Sequence, residues 1–140
     1  MGARKSGNAT GMAGEFFVME RLYRLGHEPA LTVGRAKTID IIVKTKSGKL
    51  QTISVKSVRS GSKWPVGSDD ISRRPDLCYV FLRYRGFDNP KGDPDVYIMR
   101  ASHVQRFRKP WLKGYAIYRT PERLAPPNFE RYRDAWECIG

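Results

Sequence analysis

Two short runs rich in β-branched residues, Thr38–Thr45 and Gln51–Ser57, stand on either side of Lys46-Ser47-Gly48. Branching at Cβ crowds a helix but suits a pleated strand. A three-residue loop ending in glycine fits a type I turn closed by a left-handed residue. The two runs therefore read as an antiparallel hairpin with Asp40 opposite Ser54 and Ile41 opposite Ile53. Side chains alternate across a strand, so this register sorts the faces. Ile39, Ile41, Val43, Ile53 and Val55 are expected on a core face. Asp40, Ile42, Lys44, Thr52, Ser54 and Lys56 are expected on a mostly polar one, with Asp40 and Lys56 as diagonal neighbours.

The flanks supply the rest of one α/β domain over residues 11–140, behind a flexible basic arm of residues 1–10. From Gly11 the sequence reads as a helix capped by Thr10 and stopped by Gly26. Met12, Phe16, Met19 and Tyr23 form one apolar stripe at helical spacing, and Val18, Leu22 and Leu25 an adjoining one. Glu15 projects from this broad apolar face, where a carboxylate is costly unless it is paired or binds a metal. A short strand over Pro29–Val33 and a basic loop with Arg35 and Lys37 lead into the hairpin. Residues 58–76 read as a long basic loop, with Trp64 in its middle and a short helix near Ser68–Ser72; such loops are usually functional. LCYVFLRY and DVYIMRA read as strands, SHVQRF as a short helix capped by Ser102, and Tyr115–Tyr118 as an edge strand. Asn128 is positioned to cap a last helix with Phe129, Tyr132, Trp136 and Ile139 along one stripe.

The charge balance points to a polyanion. Among 140 residues, 26 are Lys or Arg and 14 Asp or Glu, a formal net charge of +12. The basic residues run through the whole chain, as expected of a folded surface that attracts nucleic acid. No run approaches the roughly 18 apolar residues of a membrane span, so no membrane partner is expected and the cytoplasm or nucleoid is the expected address. Cys78 and Cys138 form no metal-ligand or disulfide pattern. A phosphate-cradling Gly-rich loop and a GxSxG elbow are both missing from the sequence. The two histidines, His27 and His103, read as structural, His27 as a cation favoured by the end of its helix.

What stands out is Glu15 on a helix, Asp40 on a strand and Lys56 on the paired strand. Carboxylate and carbonyl oxygens are the hard ligands that Mg²⁺ takes. A bound divalent ion activates water against a phosphodiester, and a lysine stabilises the charge that develops. From spacing alone, Asp40 and Lys56 read first as an ion pair on a solvated sheet face, since Asp and Lys on strands are common.

The order helix with Glu, strand with Asp, turn, then Val-Lys resembles the PD-(D/E)XK nuclease superfamily, and above all its small restriction-endonuclease-like and Holliday-junction-resolvase-like members. Residues 14–28 resemble the first helix of these proteins. Thr38-Ile39-Asp40 resembles the PD step and Ile53-Ser54-Val55-Lys56 the (D/E)XK step. The resemblance implies an α-β-β-β-α-β core, a mixed central sheet flanked by helices. It further implies Asp40, the Val55 carbonyl and Glu15 as ligands of Mg²⁺ or Mn²⁺, and Lys56 as the catalytic lysine. Ser54 departs from the pattern, standing where the family carries an acid, and completes the catalytic set. Arg35, Lys37, Arg59, Lys63, Trp64, Arg73 and Arg74 are expected to meet the nucleic acid. Two functions remain open. One is a metal-dependent endodeoxyribonuclease acting on branched or structured DNA, compatible with a homodimer. The other is a nucleic-acid-binding module of the same fold that has lost catalysis.

Overall fold

The computed structural model describes residues 2–32 and 39–140. Helix α1 (Gly2–Arg24) is followed by three antiparallel strands, β1 (Glu28–Leu31), β2 (Ile41–Lys44) and β3 (Leu50–Val58). Strand β4 (Lys63–Gly67) then leaves the sheet, and β5 (Leu77–Arg83) returns parallel to β3. Strand β6 (Asp95–Arg100) pairs antiparallel with β5 and runs directly into helix α2 (Ala101–Phe107). Strands β7 (Lys109–Trp111) and β8 (Gly114–Tyr118) form a hairpin. The main sheet has the order β1-β2-β3-β5-β6, and a second sheet the order β4-β8-β7.

The hairpin has the expected register, Ile41 opposite Ile53. Gly48 takes φ +93° at the turn, and Gly26 φ +90° where α1 stops, backbone values that glycine reaches without a steric penalty. The mixed sheet is buried on both faces, which is why β5 is apolar from Leu77 to Leu82. On one face, Val18 and Leu22 of α1 pack on Ile41, Val43, Ile53, Val55, Val80 and Leu82. On the other, Leu77, Tyr79, Phe81, Tyr97 and Met99 pack beneath Val104 of α2 and Trp64, Val66 and Ile117 of the second sheet. Helices thus flank the sheet on both sides.

Several expectations are corrected. Helix α1 begins at Gly2, not Gly11, so the segment expected to be an arm is helical backbone; it holds no proline, and Ala3, Arg4, Lys5 and Ala9 favour a helix. Only the Val18–Leu22 stripe is buried, while Met12, Phe16, Tyr23 and Leu25 are exposed. The connection from β3 to β5, helical in the implied core order, is a strand followed by turns. Gly114–Tyr118 is the middle strand of its sheet, not an edge. The last helix is absent as such: residues 129–132 and 136–138 are separate 3-10 turns. A continuous helix could not place Phe129 and Tyr132 on one core cluster and Ala135 and Ile139 on the other, as this segment does by passing round the sheet edge at β6. Ser102 lies inside α2, whose N-cap is Arg100. No helix among the described residues is long and apolar enough to cross a membrane.

Candidate active site

Strand β2 starts at Ile41, and the residues before it leave the alternation of the strand. Ile39 packs on the second core cluster and not, as expected, beside Ile41. The Asp40 amide still donates to the Ile53 carbonyl (2.8 Å). Its carboxylate turns along the edge of β3, where Oδ2 accepts the Val55 N–H at 2.7 Å. Asp40 is only 8% exposed, so this charge-assisted bond sits largely out of water, where it is strongest. Both backbone groups of a strand residue point to the same side, and residues two apart share that side. The Val55 carbonyl therefore faces the same edge as the Ile53 carbonyl, where β2 has ended. The hairpin register and a β2 that stops short together bring the Asp40 carboxylate and the Val55 backbone to one place.

Ser54 and Lys56 flank Val55 on the strand. The polar face assigned to them is not a solvated one. Ser54 is 0% exposed, Lys56 is half-buried, and in register they lie beside Tyr79 and Phe81 of β5. The second sheet covers this side of the molecule, so the ion pair on a solvated face loses its premise. Ser54 Oγ has no hydrogen-bond partner among the described residues; a buried hydroxyl left so costs about 1–3 kcal/mol.

Helix α1 brings Glu15 alongside β3. Gly14 abuts Ser57 so closely that a Cβ there would fall 1.9 Å from Ser57 Oγ. The glycine lets the helix settle against the end of the strand that carries Lys56, with Glu15 half-buried at that contact. As a donor set for a divalent cation, the Asp40 carboxylate, the Val55 carbonyl and the Glu15 carboxylate are hard oxygens of the right kind. Ser54 supplies no charge, and no group of three or more His, Cys, Asp or Glu that could hold a metal occurs among the described residues. By donor type alone, these oxygens suit a hard cation held by few charges.

Tyr79, which sequence reasoning passed over, belongs to this neighbourhood. Burial raises its phenol pKa above the ordinary value, Arg108 and Arg74 lower it, and Asp69 and Asp40 raise it again. Tyr79 thus lies within reach of the charges of Asp40, of two arginines and of a carboxylate from the β4–β5 connection. The apolar run of β5 gives no phase, so nothing in the sequence marks Tyr79 as facing Ser54.

The residues expected on nucleic acid separate. Arg73 and Arg74 are exposed. Arg59 donates from Nε to Thr10 Oγ1 (2.7 Å) and lies over the Phe87 ring. Lys63 sits over Trp111 and Tyr118. Trp64 is corrected: it is 1% exposed, its Nε1 donates to the Leu82 carbonyl at 2.9 Å, and its ring packs on Phe81 and Tyr97. It ties the second sheet to the first and cannot stack on a base. Arg35 and Lys37 lie outside the described residues.

No protein-family model matches the chain, and no curated protein is similar to it in sequence. Among solved structures it is similar to that of a bacterial homing endonuclease, I-Ssp6803I, with a TM-score of 0.58 and 18% sequence identity over 94% of this chain and 90% of the other. At this identity the likeness is one of fold, and it extends over nearly the whole domain.

Proposed function

We propose that this protein is a metal-dependent DNA endonuclease of the PD-(D/E)XK type, acting on branched or otherwise structured DNA. The observation that carries this reading is the Asp40 carboxylate bound to the Val55 amide at a sheet edge, one residue from Lys56. The fold shared with a homing endonuclease and the net charge of +12 support it. Asp40, the Val55 carbonyl and Glu15 are the residues that would hold Mg²⁺ or Mn²⁺. When bound, the ion supplies charge against the developing phosphorane and lowers the pKa of an attacking water. Lys56, half-buried beside it, would orient that water and offset charge on the phosphate oxygens. Arg73, Arg74 and Arg59 would hold the flanking phosphates, and a homodimer would present two sites to two strands.

The second reading, a binding module that has lost catalysis, is favoured by one observation, the uncharged and buried Ser54. Labelled DNA incubated with Mg²⁺ or with chelator separates the two. The nuclease cuts only with metal, and Lys56→Ala abolishes cutting while binding in chelator stays within a few-fold, since one phosphate contact among many is a small loss. Binding that is unaffected by metal, with no cutting, establishes the module instead.

A further inference from the structure

Past Lys56, the same face of the molecule opens into a second, unassigned cleft of about 770 Å³. Six arginines and three carboxylates line it. Arg83 stands beside Val58 in the β3–β5 register, two residues beyond Lys56, or about 7 Å further along the strand. The carboxylates account for only part of the positive charge. Asp95 draws Arg83 (3.6 Å), Arg85 (3.0 Å) and Arg133 (3.4 Å) to one point. Arg133 is held further by Glu130 (2.8 Å) and by the Tyr97 hydroxyl, to which it donates at 2.7 Å. This fixes a set of guanidiniums along one wall before any ligand arrives. Arg119 also lines the cleft, anchored through its backbone N–H to the Ser62 carbonyl (2.7 Å). The Nε atoms of Arg83 and Arg119 are both buried and donate to no described group.

Guanidinium forks match the oxygens of a phosphate. We propose that this cleft is a phosphate-binding site for a nucleic-acid strand, separate from the Asp40–Lys56 site, with Arg83 and Arg119 as the paired donors. The strand as ligand rests on the nucleic-acid reading above; the phosphate chemistry does not. An internal phosphodiester and a terminal phosphate offer the same oxygens.

The test compares wild type with Arg119→Gln, and with Arg119→Lys should the first fail to fold. Arg123→Gln, at the exposed rim, serves as a third variant. Binding of labelled duplexes ending in 5′-hydroxyl or 5′-phosphate is followed in chelator across a salt series, and melting is followed with and without inorganic phosphate. Arg119→Gln is expected to weaken duplex binding a few-fold and to flatten the salt slope by about one, and phosphate is expected to raise the melting temperature of wild type more than that of the variant. Equal loss on both duplexes assigns an internal phosphodiester; loss confined to the 5′-phosphate duplex assigns a strand end. If wild type binds no DNA but phosphate still stabilises it selectively, the nucleic-acid reading falls and the phosphate site stands. Variants that match wild type in both DNA binding and phosphate response overturn the proposal.

Discussion

At the scale of single residues, Ser54 is the position that separates the two proposed readings of the site. It is enclosed beside Asp40 with a hydroxyl that has no described partner. Ser54→Glu should therefore be conditional in effect. In chelator it buries a second carboxylate near the first and is expected to destabilise the fold by about 2–3 kcal/mol. With Mg²⁺ the loss should be recovered and metal affinity raised, read as a rise in melting temperature on adding the ion. The same destabilisation with and without metal would show that position 54 does not face an ion. The two histidines make a separate prediction. His27 Nδ1 accepts the Lys46 amide N–H (2.9 Å), and burial, with Lys46 nearby, holds its pKa below the ordinary value. Burial, followed by Arg131, Arg100 and Arg106, does the same to His103. The folded protein thus keeps both rings neutral where the unfolded chain would bind protons, so stability rises with pH through this range. The contribution is complete above the unfolded pKa of about 6.5 and is lost as pH falls below it. Chemical denaturation from pH 8 to 5 should show a flat region and then a decline, and His27→Gln should flatten part of the decline. A decline that starts well above pH 7 would contradict the assignment. His27 is thus no cation at a helix end but a neutral acceptor.

Among the elements, the contact between α1 and β3 sets where Glu15 lies along the strand. Gly14 permits it: the added Cβ of Gly14→Ala would meet Ser57 Oγ at 1.9 Å and Leu82 Cδ1 at 3.1 Å. Forcing a methyl into so close a packing is expected to cost about 1–3 kcal/mol, visible as a lower denaturation midpoint with an unchanged slope. An unchanged midpoint would mean that the helix stands further from the strand than described. The hairpin was legible in the sequence because its information is local: the β-branched runs, a turn glycine at the left-handed position and an alternation of period two. The stop of α1 at Gly26 was legible for the same reason. Much of α1's phase was not. Either apolar stripe could have faced the sheet, and the small residue that allows close approach, Gly14, carries no hydrophobic signal. The second sheet was hidden too, because β4 and β7 are short, contain proline and are held by tertiary contacts such as Trp64 on Phe81. An aromatic in a basic segment looks the same whether it anchors a core or waits for a base.

The whole molecule places two polar regions on one side of a doubly covered sheet. One is the Asp40–Lys56 edge and the other the arginine cleft at the end of β5. The first was legible locally, since its residues lie on or next to paired strands within 16 positions of one another. The second joins Arg83, Arg119 and Arg133 from segments that only the completed fold brings together. The measurement that bears most directly on the central claim is single-turnover cleavage of linear, flapped and four-way-junction DNA by wild type and Asp40→Asn, with Mg²⁺ and with chelator. Binding in chelator is the control for folding. The structure and charge lead to cutting that requires both the ion and Asp40, with Asp40→Asn binding like wild type and cutting at least a hundredfold more slowly, about 2.7 kcal/mol or more in the barrier. Cutting that survives Asp40→Asn, or wild type that binds every substrate and cuts none of them with metal present, would contradict it.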